Sequence, residues 1–423
     1  MVSRLSGVRR AHVQAVSVKK SEKWRNTMAD DSYTEVSSRS WFSRIGGAFT
    51  GIVIGLVMMA VAFGLLFWNE GRAVGRYKTL QEGGGMVRSV AVDKVDSGNE
   101  GRLVHVAGRV NTAATLADHE LGVQTPAIGL IRDVEMYQWK ESKRSETKKK
   151  FGGGEETVTT YSYTKEWERK VNDSGNFKKP DGHGNPSRMA YESRTTWADD
   201  VRLGGFRLPD FLVRKIGNET SLALGPDTRS PQNVQGKIHR QADGFYLGAD
   251  PTSPQVGDLR IRYRVILPAD VSLVARQAGS SFESYKTSAG GTIELLEMGI
   301  HAADTMFKNA QQTNTYMTWG LRAGGFLLMV IGANLVLGPL AVFADVVPAI
   351  GSLIGAGTKL IASLLAGVLS FLTIGIAWFV YRPLIGIGFA VIAGALFVVI
   401  FRKMRKAGPA VPPPLAPPPV PGA

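Results

Sequence analysis

Ile45–Trp68 is a run of twenty-four residues without one charged side chain, and a second apolar run, uncharged from Ala323 onward, occupies 321–344 after the polar, charge-rich stretch 69–320. An α-helix rises about 1.5 Å per residue, so some twenty apolar residues cross a hydrocarbon core of about 30 Å. The chain is therefore expected to lie in a membrane and to hang one large domain, residues 69–320, between spans 45–68 and 321–344. Its chemistry must reside in that domain, in the helical bundle or on the tails.

The mean hydropathy of −0.02 conceals this segregation. Two further spans are expected at 360–380 and 384–401, separated by Tyr381-Arg382-Pro383, where proline cannot continue a helix. The stretch 345–359 is interrupted by Pro348, Gly351, Gly355 and Gly357 and ends at Lys359. It reads as an interfacial segment, with a fifth span as the alternative. Residues 1–44 hold nine Lys/Arg against four acids, and 402–423 hold Arg402, Lys403, Arg405 and Lys406 with no acid. Four spans put both tails on one side, and basic flanks make that side the cytoplasm. The same basic tails have the charge to attract anionic lipid, although setting topology is the plainer explanation. The near-neutral domain between the spans argues against nucleic acid as a partner.

Residues 1–44 are expected to be a largely disordered tail, with Met28-Ala29-Asp30-Asp31 reading as an alternative start. Gly408–Ala423, with eight prolines in sixteen residues, is expected to be extended and disordered. Ile45–Trp68 lacks the small-residue cleavage pattern of a secretory signal and should remain as an anchor. The chain has no cysteine, which excludes thiolate metal sites, iron–sulfur clusters and thiol catalysis. An extracytoplasmic domain without disulfides must rest on its core alone.

Within the domain, period-two runs bounded by Gly, Pro, Asn and Asp predict strands at Leu103–Val110, Asp258–Leu267 and Val271–Gln277. The clearest pair is Val134–Glu141 with Thr157–Glu168. Tyr137, Trp139, Tyr161, Tyr163 and Trp167 all fall on odd positions, so each strand carries its aromatics on one face. Cross-strand packing explains that stripe, and a ligand platform is the sharper alternative. Lys143–Glu156 makes a charged, glycine-rich hairpin tip. Leu208–Ile216 reads as a short helix, and His301–Thr318 as a helix entering the second span. The fold class is α+β: a four-span helical membrane protein with a mixed, mostly antiparallel extracytoplasmic domain between spans one and two.

No residue pattern specifies an enzyme or a cofactor. The six histidines stand apart, no His-Glu-x-x-His or Gly-x-Ser-x-Gly string occurs, and Gly152–Gly154 lacks the following Lys-Ser/Thr of a phosphate loop. His183, in Asp181-Gly182-His183-Gly184-Asn185-Pro186, reads as a solvated turn, with a ligand role as the alternative. The spans are more informative. Gly47, Gly51 and Gly55 align on one helix face and would let another backbone approach. Gly320 with Gly324, and Gly386, Ala390 and Gly394, repeat that spacing. Asn334 is the strongly polar mid-span residue, and Thr358, Ser363, Ser370 and Thr373 are the remaining hints of a polar stripe, which is little for an ion path.

Several strings in one order carry a family resemblance. They are Asn69-Glu70-Gly71-Arg72, Asn99-Glu100-Gly101-Arg102-Leu103-Val104-His105, and the run from Val134 through Tyr137 to Trp139. Tyr161-Ser162-Tyr163 with Glu166-Trp167, Asn185-Pro186-Ser187, Val256–Arg260, Thr318–Ala323 and Tyr381–Leu384 continue it. On these the chain resembles the LUMA, or transmembrane protein 43, family from about residue 60 to 400. The resemblance implies four spans, cytoplasmic termini and a large lumenal or extracellular domain. In animals the family is placed at the inner nuclear membrane and endoplasmic reticulum, oligomerising and organising lamina-associated partners, and channel-related roles are also proposed. The absence of cysteine and the Ala/Gly/Arg bias suggest a bacterial member, with the domain in the periplasm and no lamina to organise. The expected function is a non-enzymatic, homo-oligomeric membrane scaffold that gathers membrane-associated protein or lipid, with a pore or channel subunit as the alternative.

Overall fold

The computed structural model describes residues 31–225, 237–346 and 348–384, together with 386–388, 391, 398 and 402. Three long helices dominate: α1 Trp41–Met86, α2 Ala303–Ala344 and α3 Pro348–Tyr381. Each contains a segment long and apolar enough to cross a membrane. The expected fourth span, 384–401, lies mostly outside the described residues, as do Met28 and the C-terminal tail beyond Arg402.

The apolar run 45–68 is only the first part of α1. No proline interrupts Asn69–Met86, and the helix continues because Leu80 buries itself against Leu103, Val274, Met306 and Phe307 at the base of the domain. At about 1.5 Å per residue, 46 residues extend about 69 Å, well past a bilayer core. Helix α2 behaves likewise, running unbroken from Ala303 into its apolar half. Residues 345–359 depart from the expected interfacial segment. Pro348 stands at the helix start, where its missing N–H costs nothing, and the glycines that follow do not stop the helix. The chain therefore turns at Asp345–Val346 and runs through to Tyr381.

The three helices pack through Ala62, Leu66, Met329 and Ala366. Their outer flanks stay apolar and exposed, including Leu56, Val61, Leu327, Leu364 and Phe371. Apolar surface of this extent is suited to lipid.

The domain contains two mainly antiparallel sheets. In the larger, β1 Ser32–Arg39, β4 Glu155–Glu168, β3 Gly129–Lys149 and β5 Leu259–Ile266 lie side by side. In the smaller, β2 Leu103–Thr112 pairs with β6 Asp270–Ala278. A core containing Val134, Phe206, Ile261, Leu273 and Phe245 lies between them. The expected helix 208–216 is reduced to one turn, Asp210–Val213.

Residues 32–39 were expected within a disordered tail and instead form β1, in register with β4 from Ser32↔Ser162 to Arg39↔Glu155. The open edge of β4 supplies the backbone partners that an extended segment needs. Strands β1, β4 and the outer half of β3 make a three-stranded polar ribbon that leaves the domain beyond Met136, where pairing with β5 ends. Its tip meets the helices at their end farthest from the domain.

Candidate functional site

Two clusters of buried charge mark the two ends of the apolar bundle. The first is built on the domain side by Asn69-Glu70-Gly71-Arg72. Because these residues sit inside a helix and not at its close, Asn69 and Glu70 turn inward, and Glu70 is only 1% exposed. Arg322 of α2 donates Nε and Nη2 to its two carboxylate oxygens at 2.7 and 2.9 Å, and the Trp378 indole of α3 donates to Oε2 at 2.9 Å. A buried carboxylate is costly unless paired and hydrogen-bonded, and here one arginine fork and one indole satisfy it. The Arg322 guanidinium also lies 4.7 Å from the Trp319 ring centroid and 5.9 Å from that of Trp378.

Asn69 donates to the Thr318 carbonyl at 3.1 Å, and Arg72 donates to Asn314 Oδ1 and Thr318 Oγ1 at 3.0 Å each. Asn314 in turn donates to the Ala73 carbonyl. Gly71 completes the cluster through its lack of a side chain: a Cβ there would lie 2.6 Å from the Tyr381 ring. Three strings quoted for the resemblance, around residues 69–72, 318–323 and 381–383, thus meet at one place.

The second cluster lies at the opposite helix ends. Asp345, 1% exposed, accepts from Arg44 and from Lys149 at the ribbon tip, and Arg44 also pairs with Glu155 at 2.9 Å. Trp41 donates its indole N–H to the Val342 carbonyl, and the amide of Gly152 donates to the Val346 carbonyl. Gly153 has φ +77°, and a Cβ on it would strike Trp41. From Arg44 to Glu70 are 26 helical residues, about 39 Å, while the ribbon needs about 43 Å from Met136 to Lys149. Ribbon and apolar helix segment have nearly the same reach.

The predicted glycine face meets the second span of the same chain. Gly55 crosses Gly332, with its virtual Cβ 2.6 Å from that residue's carbonyl oxygen, and Gly51 faces Leu335. Gly47 lies toward Arg39. On α2 the close approaches belong to Gly325, against Leu66, and to Gly332; Gly320 and Gly324 face open space. Gly386 abuts Phe379 of its own chain, and Ala390 and Gly394 lie outside the described residues. Asn334, Thr358, Ser363 and Thr373 each donate to a carbonyl four residues back on their own helix, while Ser370 Oγ is buried with no partner among the described residues.

In the domain, the second tetrapeptide does different work. Gly101, at φ +73°, turns the chain into β2, and Glu100 accepts from the Gly279 amide; Asn99 closes a short 3-10 turn ahead of Arg102. Tyr137 and Trp167 are direct cross-strand partners with ring centroids 5.2 Å apart, and Lys165 covers Trp139. His183 is buried, not solvated: it stacks on Tyr163 at 4.0 Å and meets Trp139 edge-on. The Tyr163 hydroxyl donates to the Glu141 carboxylate at 2.8 Å. His105 lies between Ser89 and the His301 carbonyl, and burial holds it below the ordinary histidine value.

Sequence reasoning passed over Arg44, Asp345, Gly332 and Trp378. A charge at each end of two apolar runs that pack antiparallel was the available signal for the ion pairs.

A family model described as Transmembrane protein 43 matches residues 136–383. Transmembrane protein 43 of Mus musculus is 35% identical over 92% of this chain and 98% of its own length. The Homo sapiens protein is 36% identical over 87% and 93%, and the Drosophila melanogaster homolog 31% identical over 83% and 94%. No solved structure matches the chain. Similarity of this extent, together with three apolar helices joined by the family's own sequence strings, makes the chain a member of the transmembrane protein 43 family.

Proposed function

We propose that the chain is a non-enzymatic integral-membrane scaffold that works as a homo-oligomer, with its β domain outside the cytoplasm and gathering membrane-associated protein or lipid. The polar ribbon carries this reading. It bears Lys143, Arg144, Glu146 and Lys148 beside a helical bundle of bilayer length, and charged side chains at that depth require protein or water around them. Among the described residues Ser142–Lys150 stay exposed, and in the scaffold it is neighbouring copies that would cover them. The buried charges of both clusters are consumed by each other, which fits a structural part better than an acid–base site.

The same ribbon favours a second reading, a pore subunit, because charged strands from several copies could line a water-filled path. Both readings meet in one experiment on protein reconstituted in nanodiscs and planar bilayers. The scaffold reading expects a defined oligomer by mass photometry and no reproducible ion-selective unitary current. A monomer sinks it outright. A selective conductance that changes on reversing Lys143 and Arg144 to glutamate replaces it with the pore.

A further inference from the structure

At the domain-side end of the bundle, one face of α1 (Val74, Tyr77, Lys78) and the end of α3 (Tyr381, Arg382, Leu384) enclose a groove of about 620 Å³. A second cavity of about 310 Å³ shares Tyr77 and Arg382 and continues along α2 to Trp319 and Arg322. We infer that this groove binds one acidic glycerophospholipid, with Lys78 and Arg382 holding its phosphate and Leu384 contacting an acyl chain.

Charge is the first argument. Neither cavity is lined by an aspartate or glutamate, whereas Lys78 and Arg382 both stand at the groove. Nearby, Arg322 is neutralised by Glu70. Lys78 and Arg382 have no carboxylate partner among the described residues. The groove's own lining therefore carries two cations and no anion.

Depth is the second argument. Val74 lies six residues beyond Trp68, about 9 Å by helix rise, and Tyr381 ends the apolar run of α3. That is headgroup level, where tyrosine and tryptophan gather, and Tyr77, Tyr381 and Trp319 supply them here. The groove is also open to the apolar flank: Leu384 is 86% exposed. A free phosphate would need the two cations but not a long, apolar-sided groove, so a lipid is the occupant chosen.

Native mass spectrometry of the full chain in detergent, titrated separately with phosphatidylglycerol and phosphatidylcholine, reads the site directly. Wild-type protein should retain one phosphatidylglycerol with roughly tenfold preference over phosphatidylcholine, since each cation near a headgroup adds a modest electrostatic increment. The double variant K78Q/R382Q should lose that preference, and R109Q, a distant exposed arginine of the domain, should keep it. Lys78 is exposed and has no ion-pair partner among the described residues, so K78Q alone gives a partial loss in a protein whose fold is not at risk. Equal retention of both lipids overturns the proposal, as does an unchanged preference in K78Q/R382Q. Displacement by millimolar inorganic phosphate also overturns it, by assigning the groove to the free anion.

Discussion

At the scale of single residues, Glu70 is the position on which most depends. Removing one partner of a buried, fully hydrogen-bonded ion pair leaves the other charge stranded, typically at a cost of about 3–5 kcal/mol. Glu70→Ala should therefore lower the thermal unfolding midpoint in detergent substantially. Glu70→Leu combined with Arg322→Met should recover much of the loss, because an apolar pair of similar volume needs no desolvation. If the double variant is no better than the single one, the pair is not a self-contained unit. His105 gives a pH test. Its folded-state value lies below the ordinary 6.5, mainly through burial. The unfolded chain therefore takes up the proton first, so the stabilisation is complete above about 6.5 and drains away as pH falls toward the folded value. Wild-type stability should drop on acidification through that window, and His105→Gln should flatten the drop. The sequence announced Asn69-Glu70-Gly71-Arg72 and its repeat, but not that the two differ. One lies inside a helix facing two others, the other in a turn with a left-handed glycine, and four letters carry no information about which neighbours surround them.

The secondary-structure elements were legible wherever local pattern decides. The aromatic stripe of β3 and β4, the glycine-rich hairpin between them and the helix entering α2 all follow from periodicity and turn chemistry within a dozen residues. Elements whose limits depend on distant contacts were not. Pro348 and the glycines after it suggested a break, yet a proline at a helix start breaks nothing. Likewise β1 exists because β4 has an open edge to offer, a fact of tertiary structure. The glycine repeat shows both cases: Gly51 and Gly55 were visible as a face, while Gly332, which receives it, has no four-residue partner to betray it. Gly55→Ala puts a methyl 2.6 Å from a backbone oxygen that has nowhere to go. It should cost about 1–3 kcal/mol through forced separation of α1 and α2, read as a lower melting temperature. Gly64→Ala, with open space around its Cβ, should be neutral or slightly stabilising by helix propensity. Equal effects of the two substitutions would mean that the crossing at Gly55 does not hold the helices together.

On the scale of the whole molecule, the two charged clusters impose a geometry that neither the spans nor the domain implies alone. The domain-side cluster ties α1, α2 and α3 together. The far cluster ties the ribbon tip, the start of α1 and the turn after α2 into one clasp about 39 Å away. A tail and a domain hairpin that topology rules would assign to opposite sides are thereby joined. If α1 crosses the bilayer, the ribbon must cross beside it. Because the chain has no cysteine, single cysteines report on this without background. Phe151→Cys marks the ribbon tip, Ser40→Cys the start of α1, and Ser253→Cys an exposed loop of the domain. With a membrane-impermeant thiol reagent on sealed vesicles, positions 40 and 151 should label from the same face, because Arg44 holds the Gly153 carbonyl and Trp41 packs on that glycine. Position 253 should label from the other face, because the uncharged run Ile45–Trp68 separates it from both. Labelling of 151 together with 253, while 40 stays protected, would open the clasp. It would return the ribbon to the domain's side and remove the need for neighbouring copies to shield it from lipid.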